Sequence, residues 1–198
     1  MYFRKGFALA IDRSRFAAAF TSAGAPGYGI LNEMYIHDPY TGEAYRSSEA
    51  AKNALVRLQG LTFGPEGEYE DLDAAYAAIT GYDLEQARQY MQLCYEQTTA
   101  DRLYDGNSPI KLQLSVFQNE DIYVQMYHFL RDALESACAG TGFEGKVSLN
   151  MVVDEDYYAT MESGLTDMIF STWGGSAYDP YGVLYRCYCD AGVEAVPN

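Results

Sequence analysis

Residues 171 to 180 read STWGGSAYDP and contain the only tryptophan of the chain. Trp173 offers a broad stacking face and one N–H donor. Gly174 and Gly175 let backbone amides come close to a bound group, and Ser176 and Tyr178 add hydroxyls. That set suits non-covalent capture of a small ligand. The plainer reading is a tryptophan packed on the rim of the core, followed by a tight glycine turn. Tyrosine is the other excess, 19 of 198 residues. Tyr28, Tyr35, Tyr40 and Tyr45 fall in a stretch rich in Gly and Pro and are candidates for contact. Tyr178, Tyr181, Tyr185 and Tyr188 recur at three or four, the spacing of a helix face packed on a neighbour. The expected binding residues are Trp173, Gly174, Gly175, Ser176, Tyr178 and Tyr28.

Patterns for covalent chemistry are missing. There is no G-x-S-x-G elbow, no Walker A loop and no G-x-G-x-x-G after a strand. Asp154, Glu155 and Asp156 stand together, but at a helix start, where carboxylates cap free amides and complement the dipole. His128 lies inside a helix beside Phe129. Cys187 and Cys189 form a C-x-C pair, yet a zinc site needs further ligands, and His37 and His128 are distant. Cys94 and Cys138 fall on helices and read as small core hydrophobes. A non-enzyme without metal or cofactor is expected.

The chain carries 28 acidic and 13 basic side chains, a formal charge of −15. Phosphate backbones and anionic leaflets are held by Lys and Arg, so nucleic acid is not an expected partner. With 48% hydrophobic residues and this length, the chain can build its own core and removes roughly 70% of its extended surface on folding. No stretch reaches the roughly 18 apolar residues of a membrane span. The start, MYFRKGFALAIDRSRFAAAF, has the basic-then-apolar order of a signal peptide, but Asp12, Arg13 and Arg15 interrupt it. It reads as one amphipathic helix through Phe3, Phe7, Ala10, Ile11, Ala17 and Phe20. The chain is therefore expected to begin within a fold element, with any export signal upstream in a parent protein.

The elements that must position the candidate residues follow from periodicity. Residues 21–46 read as loop. A helix is predicted from Ser47 through Ala51, Ala54, Leu55 and Leu58 to a stop at Gly60, and a short one at 72–79. Asp83 is an N-cap with Gln86 three positions on, opening a helix striped by Leu84, Ala87, Met91, Cys94 and Tyr95. Residues 21–82 form an insertion-rich, mostly helical part. Strands are predicted at 110–117, 146–153 and 166–173. Between them lie a helix at 119–138, striped by Ile122, Met126, Phe129, Ala133 and Ala137, and a short acidic-capped helix after 153. This βαβαβ order over 110–180 builds a mainly parallel sheet with right-handed crossovers. Ligands then gather beyond the strands' carboxyl ends, where STWGGSAYDP emerges.

FRKGFALAIDRSRFA, GYDLEQARQYM and the stretch from Ile110 to Pro180 occur in the order of one family. They resemble the bacterial extracellular solute-binding proteins of family 5, the oligopeptide-, dipeptide- and nickel-binding components of ABC importers. The resemblance implies that residues 1–198 are a single α/β lobe of a type II periplasmic-binding-protein fold with a helical insertion. That lobe is the second of two that close on a ligand. It also implies a first lobe elsewhere in the protein, an ABC permease as partner, and an extracellular location with lipoprotein anchoring through a segment absent from this chain. Asp167 matches a structural position of the family, and Trp173 matches a tryptophan at the cleft floor. Peptide binders carry an Asp for the peptide ammonium where Ser176 stands, and some carry an Arg for its carboxylate where Phe170 stands. Asp179 precedes Pro180 in the family's Asp-Pro turn and reads as a helix N-cap or as a substitute carboxylate. Losing both clamps removes charge-assisted bonds, which suits a sugar or a modified peptide. The expected function is capture of a peptide or similar small solute for import. The alternatives are an extracytoplasmic sensing domain and an oligosaccharide-binding member.

Overall fold

The computed structural model describes residues 1–22, 26–29, 31–171 and 180–188. In chain order the helices are α1 (Tyr2–Ala10), α2 (Arg13–Phe20), α3 (Glu49–Leu58), α4 (Leu72–Ala77), α5 (Leu84–Ala100), α6 (Asp121–Cys138), α7 (Tyr157–Glu162) and α8 (Tyr181–Tyr188). The strands are β1 (Ile36–Asp38), β2 (Glu43–Ala44), β3 (Ile110–Val116), β4 (Val147–Val153) and β5 (Met168–Ile169). The chain divides into two compact units, residues 1–26 with 81–171 and residues 27–80 with 172–198. No helix of the described residues is long and apolar enough to cross a membrane.

In the first unit the expected single helix over residues 1–20 is two. Ile11 turns extended, and the Asp12 carboxylate accepts the Arg15 amide at 3.0 Å, starting α2 afresh. An aspartate that can satisfy a free helix N–H competes with continuation, and here it wins over the apolar spacing. Gly6 brings α1 close to α5: a Cβ there would stand 2.9 Å from the Ala87 carbonyl oxygen. Asp83 caps α5 as expected, accepting the Gln86 amide at 2.8 Å, while its own amide donates to the Leu9 carbonyl at 2.9 Å.

The sheet order is β4-β3-β5, and both pairings are parallel. Ile110 stands opposite Val147, Val116 opposite Val153, and Ser115 opposite Ile169. Being central, β3 buries its carboxyl-terminal half whatever the side-chain polarity: Leu114, Ser115 and Val116 are all buried. Ser115 satisfies its hydroxyl on Thr166 Oγ1 at 2.9 Å, as a buried polar group must. The third strand is shorter than the 166–173 predicted. Thr166 and Asp167 bond to β3 through their side chains ahead of it, and 172–173 lie outside the described residues.

Helix α6 covers the sheet with Leu130, Ala133, Leu134, Ala137 and Cys138 buried. Ile122, expected on that face, is exposed, whereas Tyr123 and Tyr127 pack against the core. The cause is reach. The Tyr127 hydroxyl donates to the Leu149 carbonyl at 3.1 Å and the Tyr123 ring stacks on Phe170, so the longer aromatic stems hold the inward positions of the first turns. Phe129 turns toward α2, where its ring meets Phe16 and Phe20.

The second unit contains a hairpin where residues 21–46 were expected to be loop. Strands β1 and β2 pair antiparallel, turned by Asp38, whose carboxylate accepts the Tyr40 amide at 2.8 Å, and by Gly42 at φ 76°. A two- to three-residue pairing is too short to show alternation, so periodicity misses it. Residues Tyr45–Ser47 make a 3₁₀ turn, and Ser48, immediately before Glu49, is the cap that starts α3. Val56, Ala75 and Ile79 join α3 to α4 in a small core. Lys52 pairs with Asp73 at 2.6 Å beside the Tyr76 ring, and that carboxylate raises the lysine pKa.

Candidate functional site

The carboxyl ends of the three parallel strands form the first candidate site. Strand β3 runs out into Phe117, β4 into Asp154 and β5 into Phe170 and Ser171. The edges are tied: the Asp154 amide donates to the Val116 carbonyl at 2.9 Å. The Asp154 carboxylate accepts the Asp156 amide and the Thr160 hydroxyl, so this member of the acidic cluster ties down the start of α7, while the N-cap residue Asp156 makes no side-chain cap bond. Above that turn three aromatic rings follow one another. Phe117 and Tyr157 have centroids 6.2 Å apart, and Tyr157 and Tyr158 4.6 Å. Phe117 is 45% and Tyr158 40% exposed, and the Tyr158 and Ser171 hydroxyls are 2.9 Å apart. Burial pushes the Tyr157 hydroxyl pKa up. This edge therefore presents flat apolar faces with hydroxyls, a surface for stacking and neutral hydrogen bonding.

Phe117, Tyr157 and Tyr158 are candidate site residues that sequence reasoning missed. The available signal was positional: an aromatic residue directly after a first parallel strand, and two more opening the helix after the second.

Trp173, Gly174, Gly175, Ser176, Tyr178 and Asp179 lie outside the described residues. The chain enters that segment from Ser171 and resumes at Pro180, one residue before α8. Phe170 is packed inward between Phe16 and Tyr123, with centroid separations of 6.4 and 6.2 Å. It fills space beside the core. Asp167 holds its expected structural position: its carboxylate accepts the Gln113 amide at 2.8 Å.

Tyr28 belongs to a different place, a cavity of about 960 Å³ lying wholly within the second unit. Tyr35, Tyr45 and Tyr76 share its wall with Leu55 of α3 and Leu184 of α8. Three of the four loop tyrosines singled out from the sequence thus converge, while Tyr40 projects outward at 98% exposure. Arg46, also in the wall, pairs with Glu33 at 3.2 Å. Tyr181, expected on a packed helix face, is 65% exposed and leans on Tyr185 at 5.5 Å between centroids.

Among the described residues no group of three or more His, Cys, Asp or Glu side chains is placed to hold a metal ion. Cys138 is buried in the core, which pushes its thiol up to about 11. Cys189 lies outside the described residues.

The family model described as bacterial extracellular solute-binding proteins, family 5 Middle, matches residues 2–194. No curated protein matches the chain. Among solved structures, that of the pheromone receptor PrgZ, described with its mode of peptide binding, superposes with a TM-score of 0.60 at 14% identity. The superposition covers 98% of this chain and 31% of that one, so the chain spans about a third of that protein's length. At this identity the likeness concerns the fold, and the parallel sheet flanked by helices is that of a solute-binding-protein lobe. With the family match covering nearly every residue, this chain belongs to the bacterial extracellular solute-binding proteins of family 5.

Proposed function

We propose that this chain forms one ligand-facing wall of a substrate-binding component that captures a peptide outside the cell and delivers it to an ABC permease. The observation that carries this reading is the exposed row of Phe117, Tyr158 and Ser171 at the carboxyl ends of the parallel sheet, directly ahead of the segment holding Trp173. The peptide-binding role of PrgZ supports the choice of ligand. In this reading a first lobe supplies the opposite wall, closure excludes water from the ligand, and a lipid-bearing segment outside this chain holds the protein at the cell surface. Neutral ring faces and hydroxyls take the place of the charged clamps absent at Phe170 and Ser176. Binding, not turnover, is the task of the site.

Trp173 is a built-in reporter. Titrating the two-lobed protein with a peptide library is expected to shift its emission and raise its Tm, and Trp173→Ala is expected to weaken the best ligand. If neither signal moves with any peptide or oligosaccharide, the uptake reading fails. A second reading, a sensing subunit that reports its ligand to a partner protein, is favoured by one observation: PrgZ is a receptor for a pheromone. Loss of peptide import on deleting the gene supports uptake. Intact import with loss of a transcriptional response supports sensing.

A further inference from the structure

Five of the residues that line the cavity of the second unit carry rings: Tyr28, Tyr35, His37, Tyr45 and Tyr76. Native interiors are close-packed, with few voids larger than a water molecule. This space of about 960 Å³ lies instead at the upper end of the roughly 300–1,000 Å³ usual for small-ligand pockets. Space walled by apolar groups holds water poorly and takes up compact apolar guests.

Charge narrows the guest. No lining residue is an aspartate or glutamate, and the Arg46 guanidinium in the wall is matched by the Glu33 carboxylate at 3.2 Å. An ionic guest would therefore shed its water without meeting a free counter-charge from that pair. No orphaned polar group calls for a strongly polar guest either. Among the described residues, every buried side-chain nitrogen or oxygen has a hydrogen-bond partner. The rings then narrow the shape. Aromatic groups meet best offset or edge to face, where the positive rim of one lies on the negative face of the other. His37 and Tyr45 already meet in this way, with centroids 6.3 Å apart and planes at 69°. A planar aromatic guest extends that pattern, whereas a puckered aliphatic guest of equal size gains burial alone.

We propose that this cavity is an accessory site for a neutral, planar aromatic small molecule, separate from the strand-end edge and independent of the peptide reading. The two-lobed protein is titrated by calorimetry with 2-naphthol and with 2-decalol, which share a carbon skeleton and a hydroxyl and differ in planarity. 2-Naphthol is expected to bind at least about threefold more tightly, the worth of one aromatic pair. Ala54→Glu and Leu58→Glu place carboxylates in the wall at exposed positions of α3, the second at a residue 76% exposed. Both are expected to fold as the parent does, judged by circular dichroism, and to weaken 2-naphthol at least about threefold. Phe117→Ser, on the strand-end edge, is expected to leave that affinity unchanged. In the unaltered protein, photolabelling by benzophenone, mapped by mass spectrometry, is expected at Met34 or Leu58 of the wall. Absence of 2-naphthol binding, or labelling confined to residues outside 27–80, overturns the site whether or not the variants fold. Affinity unchanged in both glutamate variants overturns it too. Equal affinity for the two alcohols overturns the aromatic class. Loss of binding in Phe117→Ser, or displacement of 2-naphthol by a peptide that shifts Trp173 emission, overturns the separateness of the site. If no peptide shifts that emission while 2-naphthol still binds, the uptake reading falls and the accessory site stands.

Discussion

Asp167 and Gln113 hold each other twice across the β3–β5 edge. The Asp167 carboxylate accepts the Gln113 amide at 2.8 Å, and the Asp167 amide donates to the Gln113 carbonyl at 3.2 Å. Together with Thr166 on Ser115, this clasp replaces the ladder that a two-residue strand is too short to make. Asp167→Ala is expected to cost about 1 to 2 kcal/mol, the worth of one charge-assisted bond at an exposed site. Asp167→Asn, which keeps the acceptor oxygen, is expected to recover part of that loss. Urea unfolding of the three proteins measures both.

Tyr158 reaches Ser171 with its hydroxyl, and Phe117 shows its ring to solvent on the same edge. Tyr158→Phe and Phe117→Ser are expected to leave Tm within about 2 °C, since exposed positions contribute little. Each is expected to weaken ligand binding by the two-lobed protein by about fivefold to thirtyfold, equivalent to about 1 to 2 kcal/mol. Affinity unchanged in both would remove the strand-end edge from the site.

Gly142 lies against the Tyr95 ring, where a Cβ would overlap the ring atoms. The same ring packs edge-on to Phe143 and lies 5.1 Å from the Lys146 ammonium, which donates to the Gly142 carbonyl at 2.9 Å and the Gly106 carbonyl at 2.7 Å. Nothing in that arrangement can retreat independently. Gly142→Ala is expected to destabilise by about 2 to 3 kcal/mol and to lower Tm by roughly 5 to 10 °C, readable by calorimetry.

Asp105 turns the chain into β3, and the Ser108 hydroxyl with the Ser108 and Asn107 amides lowers its pKa to about 2. In the unfolded chain the group titrates near about 3.9. Its contribution is present above that value and is lost as pH falls through about 2. Asp105→Asn should therefore flatten the stability profile between those pH values and leave it parallel to the parent's above pH 5. An acid titration of Tm for both proteins tests the difference.

Cys138 gives the opposite sign. Burial raises its thiol to about 11, against about 8.5 unfolded. The stabilisation is full below the unfolded value and is lost as pH rises through the folded one. Alkylation at pH 8, mapped by mass spectrometry, should modify the half-buried Cys94 well before Cys138. Equal rates at the two positions would contradict the packing of α6.

What could be read from the residues alone depended on whether the cause was local. Asp83 with Gln86, Gly60 at the end of α3, and the βαβαβ order each depend on neighbours in sequence, and each is present. The break at Asp12 was visible as a capping residue, but six well-spaced apolar side chains argued against it. The reach of Tyr123 and Tyr127 depends on what lies opposite, which spacing does not encode. The convergence of Tyr28, Tyr35 and Tyr45 with Tyr76 needs the hairpin and α4 placed together, so only the loop tyrosines could be singled out. Phe117 and Tyr158 became visible once the strands had ends in space. Trp173, the most conspicuous candidate in the sequence, lies outside the described residues.

The place of β3 between two later strands affects how the protein is made. Gln113 is translated 54 residues before the aspartate that clasps it. At bacterial elongation rates of roughly 5 to 20 residues per second, the wait is on the order of 3 to 11 seconds. Throughout it, a segment destined for complete enclosure, Leu114 to Val116, has one flank open and adhesive. Slowing synthesis between the two residues would lengthen that exposure, the condition under which nascent chains associate.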